Sequence, residues 1–231
     1  MAEIILHSGV SNDAYDMLAK WTGRLPGGLA VASQLTCTLF AAVSGASTAT
    51  AAAVGRIAVP EMLERGYDKR LTCGSIAAGG ALGALIPPSI YMIIYGTLVE
   101  ESIGQLFMGG VIPGLMLSAM FITYIVIRCI FQPQLAPPLK EVTWNQRWKS
   151  LYKIWAILFL AMSMFISIYL GIATAAEIAG VGCFFALLIG FWKKRLSWKL
   201  LKGSFSSTCI SISTAMGGSR GRLQPSSTKK S

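Results

Sequence analysis

The chain of 231 residues is 54% hydrophobic and only 13% charged, whereas a soluble domain normally carries about 25% charged residues. This composition excludes an ordinary soluble protein and predicts an all-α integral membrane protein with several spans of roughly 20 apolar residues each. The net charge of +10 does not indicate nucleic-acid binding, because the basic residues cluster at the ends of the apolar stretches, as the positive-inside rule describes.

The first apolar stretch, residues 27–59, is predicted to be a re-entrant helical hairpin. As one straight helix its roughly 33 residues would reach about 50 Å, well beyond a hydrocarbon core of about 30 Å. Basic residues flank it on both sides: Lys20 and Arg24 before, Arg56 and Arg65 after. A hairpin keeps both clusters on the cytoplasmic face, with its tip at the Ser-Gly-Ala-Ser turn of residues 44–47.

The second stretch, residues 71–99, follows a charged connection at residues 60–70 and is predicted to be a broken span. Glycines and an adjacent proline pair interrupt it at Gly79, Gly80, Gly83, Pro87 and Pro88. Because two prolines remove two backbone donors, residues 85–89 are expected to be unwound between two helical halves.

The remaining apolar stretches predict ordinary spans at residues 105–127, 154–172 and 178–192, with each basic cluster on one face of the membrane. Residues 203–216 are typical of the start of another helix, and residues 217–231 form a polar, basic tail. The five cysteines include no C-x-x-C pair and predict neither a zinc site nor a disulfide framework.

The two breaks in the helices supply the candidate binding site. Unwound backbone exposes carbonyl oxygens that suit a cation such as Na⁺, half-helix N-termini favour carboxylates, and serine and threonine hydroxyls add further oxygens. The candidate binding residues are Ser44, Gly45, Ser47, Thr48, Thr50, Gly83, Pro87, Pro88 and Ser89. Small residues in membrane helices also serve close packing, so both roles are open for each of them.

Glu177 is a further candidate, because an acid within a membrane segment is a functional hypothesis by default. Its alternative role is to cap a helix near its N-terminus, where a carboxylate is favoured, after the turn at residues 171–176. An intramembrane serine protease is disfavoured, because the single histidine, His7, lies outside the spans and no other base accompanies the serines. We therefore expect no enzymatic activity.

Several blocks of sequence resemble the large membrane subunit of tripartite ATP-independent periplasmic (TRAP) transporters, the DctM-like family. They are residues 27–30 (GGLA), 39–47 (LFAAVSGAS), 49–55 (ATAAAVG), 57–62 (IAVPEM), 66–68 (GYD), 83–89 (GALIPPS) and 94–96 (IYG). The resemblance runs from about residue 4 to about residue 216, so the domain is assigned to residues 1–216.

The resemblance implies an elevator-type secondary transporter in the bacterial inner membrane, built from two inverted repeats. It further implies import of organic anions, often C4-dicarboxylates, with Na⁺ as the coupling ion, a small Q-type membrane subunit and a periplasmic substrate-binding protein as partners, and no cofactor. The Na⁺-site candidates that it implies are Ser44, Gly45, Ser47, Pro88 and Ser89.

The chain also departs from the family pattern. Residues 174–177 read Thr-Ala-Ala-Glu where the family commonly has T-P-T-E, and most of the second repeat is lacking. The chain is therefore expected to be a fragment of such a subunit, and a membrane fragment without transport activity is the alternative function.

Overall fold

The computed structural model describes residues 10–137, together with residues 159, 161–163, 166–167, 180 and 184. Every regular element in residues 10–137 is helical. Apart from those isolated positions, the predicted spans 154–172 and 178–192 lie outside the described residues, as do Glu177 and the tail at 217–231.

Six α-helices follow one another along the described chain. They are α1 (Val10–Thr22), α2 (Gly28–Ser44), α3 (Ser47–Glu64), α4 (Lys69–Ala81), α5 (Ile90–Val99) and α6 (Ile103–Phe131). Two single turns of 3₁₀ helix, Leu82–Ala84 and Pro133–Leu135, follow α4 and α6.

Helices α2 and α3 form an antiparallel hairpin whose turn is Gly45-Ala46. Gly45 ends α2 in the left-handed conformation, with φ 66°, which glycine adopts without the penalty of a Cβ atom. At the opposite end, the Leu29 amide donates a hydrogen bond to the Tyr67 hydroxyl at 3.3 Å. The chain therefore returns to the end at which the hairpin began, which we call the base.

Helix α3 is longer than the sequence predicted, because it continues through Pro60 to Glu64. Residues 60–64 are thus helical, and only residues 65–68 connect α3 to α4. A proline removes one intrahelical bond, but Pro60 lies on the exposed side of α3, while Ala58 and Met62 are fully buried. Burial of that inner face holds the helix together past the proline.

Helix α4 begins at a side-chain cap, Asp68, that was not among the predictions from the sequence. The Asp68 carboxylate accepts hydrogen bonds from the amides of Arg70 and Leu71 at 2.9 and 3.1 Å, which satisfies two otherwise unpaired helix donors. Helix α4 then ends at Ala81, and one 3₁₀ turn precedes the irregular residues 85–89. Helix α5 starts at Ile90, so the chain is unwound where the proline pair predicts it.

Helix α6 packs along the hairpin and extends beyond the predicted limits of 105–127. Its Ser118 hydroxyl pairs with that of Thr38 on α2 at 2.7 Å, and a Cβ built on Gly114 would lie 2.8 Å from Ile86 Cγ1. Pro113 lies inside α6 without ending it. Among the described residues, α6 alone is long and apolar enough to cross a membrane, whereas α2 and α5 are shorter apolar helices.

The described basic clusters gather at the base. A Cβ built on Gly27 would lie 2.6 Å from Cys129 Sγ near the end of α6, and the Asp68 amide donates to the Leu135 carbonyl at 3.0 Å. These contacts join the α1–α2 junction, the 65–68 connection and the end of α6. The basic residues next to them are Lys20, Arg24, Arg65, Lys69, Arg70 and Arg128.

Candidate functional site

The tip of the hairpin touches the unwound segment of the broken helix. The Ile90 amide, the first of α5, donates a hydrogen bond to the Gly45 carbonyl at 3.2 Å. The Pro88 carbonyl faces Gly45 so closely that a Cβ atom at Gly45 would overlap its oxygen. Both predicted breaks therefore form one structural unit, with main-chain carbonyls at its centre.

Gly83 brings the end of the first half of the broken helix against the hairpin turn. A Cβ built on Gly83 would lie 2.9 Å from the carbonyl carbon of Ala46 and 3.0 Å from the Ser47 nitrogen. One turn earlier, a Cβ on Gly80 would lie 2.6 Å from the Ala51 Cβ. The structure thus gives Gly83 a role in close packing of the two backbones.

The hydroxyl groups of Ser44 and Thr50 form two consecutive hydrogen bonds at the tip, and the donor of each can be assigned. The Thr50 hydroxyl donates to the Ala46 carbonyl at 2.9 Å, so its only proton is used. In the 2.7 Å contact between Ser44 Oγ and Thr50 Oγ1, Ser44 is therefore the donor. The lone pairs of Ser44 Oγ remain available at the tip.

Ser89 supplies a second hydroxyl oxygen on the facing segment. Its side chain is fully buried and donates to the Ala84 carbonyl at 2.7 Å, which leaves its lone pairs free. Pro87 is buried beside it, whereas Pro88 is half-buried. The Pro87–Pro88 peptide bond is cis.

Four helix ends converge on this unit. Helices α3 and α5 begin there, and neither N-cap residue, Ala46 or Ser89, makes a side-chain capping bond. Helix α2 and the 3₁₀ turn after α4 end there. Helix N-termini carry partial positive charge and C-termini partial negative charge. The N-termini of α3 and α5 therefore suit an anion, and the helix C-termini beside them suit a cation.

The predicted residues occupy different positions in this arrangement. Ser47 is half-buried at the first position of α3, and Thr48 is exposed on the same turn. Glu177 lies outside the described residues. The Ile90 amide and the Ala46 carbonyl were not predicted, because main-chain groups carry no side-chain signal; the helix start after the proline pair is the signal that could have indicated Ile90.

Comparison of the sequence with known proteins identifies the family of this chain. Residues 1–217 match the family model described as tripartite ATP-independent periplasmic transporter, DctM component. The C4-dicarboxylate TRAP transporter large permease protein DctM of Pseudomonas aeruginosa is 37% identical over 188 residues, which are 81% of this chain and 43% of that protein.

Two further relatives show the range of named substrates. The ectoine TRAP transporter large permease protein TeaC of Halomonas elongata is 37% identical over 191 residues, covering 82% of this chain and 44% of that protein. The isethionate TRAP transporter permease protein DctMQ of Oleidesulfovibrio alaskensis is 36% identical over 204 residues, covering 85% and 30%.

The chain thus spans less than half the length of these three relatives. Members of the matching family are permeases and not enzymes. On the match over residues 1–217 and on these identities, the chain belongs to the DctM family of TRAP transporter large permeases.

Proposed function

We propose that this chain contributes to a Na⁺-coupled secondary transporter of the inner membrane, which imports organic anions delivered by a periplasmic binding protein. The observation that carries the proposal is the meeting of the hairpin tip with the unwound segment, where the Ile90 amide bonds the Gly45 carbonyl. Such paired breaks expose oxygen ligands and helix ends at one place within a transporter.

The proposed Na⁺ ligands are neutral oxygens from both breaks. They are the Ser44, Ser47 and Ser89 hydroxyls and the Gly45 and Pro88 carbonyls. The hydrogen bonds support the hydroxyl assignments for Ser44 and Ser89, because each donates its proton to another oxygen and keeps its lone pairs. The N-terminal turn of α3, at Ser47 and Thr48, is the proposed neighbour of the substrate's anionic group.

The length of α5 supports a site near the middle of the membrane. Its 10 residues rise about 15 Å, which is about half of a hydrocarbon core of about 30 Å. Glu100 and Glu101 follow α5 directly. With these acids at the outer surface and the basic base at the cytoplasmic side, the tip lies near the midplane and the hairpin is re-entrant.

The partners and the substrate follow from the family and are proposed accordingly. One relative bears the joint name DctMQ, which supports a small Q-type membrane subunit as a partner. The relatives are named for C4-dicarboxylates, ectoine and isethionate, so an organic carboxylate is one class among several. The inverted-repeat, elevator-type mechanism is proposed on the same basis.

Binding of Na⁺ can be tested on the chain itself. We expect the purified chain in detergent to melt at a higher temperature in NaCl than in KCl of equal ionic strength. At a Na⁺ concentration about tenfold above the dissociation constant, the gain is about 1.4 kcal/mol. Equal melting temperatures in the two salts up to molar concentration would contradict the proposed ion site.

Transport needs a separate test, because the chain spans less than half of each of these relatives and a membrane fragment without transport activity is the alternative function. Proteoliposomes containing the chain and a small subunit, supplied with a binding protein and radiolabelled succinate, should accumulate label only with an inward Na⁺ gradient. A Na⁺-dependent melting shift without uptake would support the fragment alternative.

A further inference from the structure

The exposed surface of the described helices has two different characters. Helices α5 and α6 expose large apolar side chains along their length, including Tyr91, Leu98, Ile112, Met116 and Met120. The antiparallel pair α3 and α4 exposes only one large apolar side chain, Leu63 at the base. A face in contact with lipid normally resembles the first surface and not the second.

The small residues exposed on α3 and α4 share one face. The two helices touch through Ala51 against Gly80, and Gly55 against Ile76. In an antiparallel pair, residues one position after the contact row on each helix lie on the same side of the pair. We call this side the α3–α4 face. It consists of the exposed residues Thr48, Ala52, Arg56, Arg70, Cys73, Ala77 and Ala81.

Arg56 gives this face its charge. It lies in the middle of α3, nine residues after Ser47 and thus about 14 Å below the tip along the helix axis. Its guanidinium forms no ion pair or hydrogen bond with the described residues. The nearest acid on the same helix towards the base, Glu61, is paired with Arg65 at 2.8 Å. The carboxylate of Asp68, near Arg70, is used to cap α4.

The face connects the basic base to the proposed binding site. From the base towards the tip it presents the cations Arg70 and Arg56, then the small side chain of Ala52, and then Thr48 on the first turn of α3. The α3 N-terminus adds partial positive charge at the far end. Small side chains leave room for water, and every fixed charge along this route attracts an anion.

We infer that the α3–α4 face lines the aqueous route by which an organic anion leaves the tip towards the base, and that Arg56, about halfway along α3, is the cation that attracts the anion into this route. This inference rests on the proposed function, since it assigns a path to the same site. A face that lines such a route is open to water and selective for negative charge, whereas a face covered by lipid or by another helix is neither.

The test measures how fast a cysteine on this face reacts with charged reagents. The full chain would carry Ala52→Cys, with Cys73, Cys183 and Cys209 replaced by serine and the buried Cys37 and Cys129 retained. Inside-out vesicles would be treated with sulfonatoethyl or trimethylammonioethyl methanethiosulfonate, which have opposite charges. Each rate is taken relative to the rate of the same reagent with a free thiol in solution, because a thiolate itself favours the cationic reagent. Arg56 lies one helical turn from position 52, so we expect this relative rate to be roughly five- to tenfold higher for the anionic reagent.

Matched variants make the result specific. Adding Arg56→Gln should bring the ratio of the two rates close to one, whereas a change in thiol reactivity alone would alter both rates together. Ile112→Cys, on the apolar face of α6, should react with N-ethylmaleimide and with neither charged reagent. Ala77→Cys provides a second reporter on the α3–α4 face if the first variant does not fold.

Two results would overturn the inference. Failure of both charged reagents to modify positions 52 and 77, with normal reaction at an exposed base residue, would show that lipid or another helix covers the face. Equal rates for the two reagents, unchanged by Arg56→Gln, would remove the role of Arg56. Because labelling requires neither Na⁺ nor transport, these failures are distinguishable from failure of the proposed ion site.

Discussion

At the scale of single residues, Gly45 shows how closely the two broken segments constrain each other. Its φ of 66° lies in the left-handed region, and its Cα faces the Pro88 carbonyl without room for a side chain. The same residue accepts the hydrogen bond from Ile90. Backbone conformation, packing and the proposed ion ligand therefore all depend on the absence of a Cβ atom at this position.

Replacing Gly45 by alanine should therefore destabilise the chain and weaken Na⁺ binding together. The left-handed conformation alone costs a residue with a Cβ roughly 1–2 kcal/mol, and displacement of Pro88 adds to this cost. The melting temperature in KCl and its increase in NaCl measure the two effects. Gly109→Ala is the control, because a Cβ there meets nothing within 4 Å, and an equal loss in the control would contradict the prediction.

Ser47→Ala tests a proposed hydroxyl ligand at the start of α3. We expect a smaller Na⁺-dependent melting shift and, in the intact transporter, weaker Na⁺ activation of uptake, because one oxygen ligand is lost. Thr123→Ala removes a hydroxyl whose one hydrogen bond among the described residues is to the Ala119 carbonyl of its own helix, so its Na⁺ response should match the wild type. Unchanged Na⁺ activation in Ser47→Ala would refute the ligand assignment.

At the scale of helices, the hairpin and α6 are held together by small residues and one interhelical hydrogen bond. Thr38 donates its proton to the Gln34 carbonyl at 2.9 Å, so Ser118 is the donor in the 2.7 Å contact with Thr38. Gly114 lets α6 approach Ile86 beside the unwound segment. Helix α6 thus supports both the arm of the hairpin and the broken helix.

A double-mutant cycle on Thr38→Val and Ser118→Ala measures this contact. Interhelical hydrogen bonds in membrane proteins contribute about 0.6 kcal/mol on average, so we expect a coupling energy near that value. Thermal unfolding of the wild type, both single variants and the double variant in one detergent supplies the four free energies. Strict additivity of the two single effects would show that the hydroxyls do not interact.

At the scale of the whole molecule, two tyrosines are buried where the base brings distant segments together. Burial raises the pKa of Tyr15, with a further contribution from the nearby Glu61 carboxylate. Burial likewise raises the pKa of Tyr67 above the ordinary value of 10.0. The fold therefore favours both neutral phenols, and Tyr67 keeps its oxygen as an acceptor for the Leu29 amide.

This arrangement predicts loss of stability at alkaline pH. Because the folded-state pKa is raised, the stabilising contribution is complete below pH 10 and is lost as pH rises through the folded-state value. Melting curves between pH 8 and pH 11 should fall more steeply above pH 10 for the wild type than for Tyr67→Phe. At pH 8 the variant should be less stable by about 1 kcal/mol, because it leaves the Leu29 donor unpaired.

The control for the alkaline effect is Tyr91→Phe, since Tyr91 is exposed on α5 and its phenol lies away from the base. Its melting curve should follow that of the wild type across the pH range. If Tyr67→Phe and Tyr91→Phe gave the same alkaline slope, the destabilisation would come from groups other than the buried phenol of Tyr67.

The sequence by itself was enough to predict where the helices break. The proline pair at 87–88 removes two successive backbone donors, which breaks a helix, and Gly45 permits the left-handed turn that ends α2. The composition likewise predicted a helical membrane domain, and the blocks around both breaks predicted its family. The helix breaks depend on local backbone chemistry, and the membrane class depends on the average hydrophobicity of the chain. Neither depends on which residues pack against each other.

Only the tertiary structure decided which residues meet. Gly45 and Pro88 are distant in sequence, and no periodicity indicates that the carbonyl of one faces the Cα of the other. Gly83 gained a packing role through its contact with Ala46, and Arg56 moved from the end of a helix to its middle because buried Met62 holds α3 together beyond Pro60. Such outcomes depend on the surfaces that helices bury against one another, and those surfaces exist only once the chain is packed.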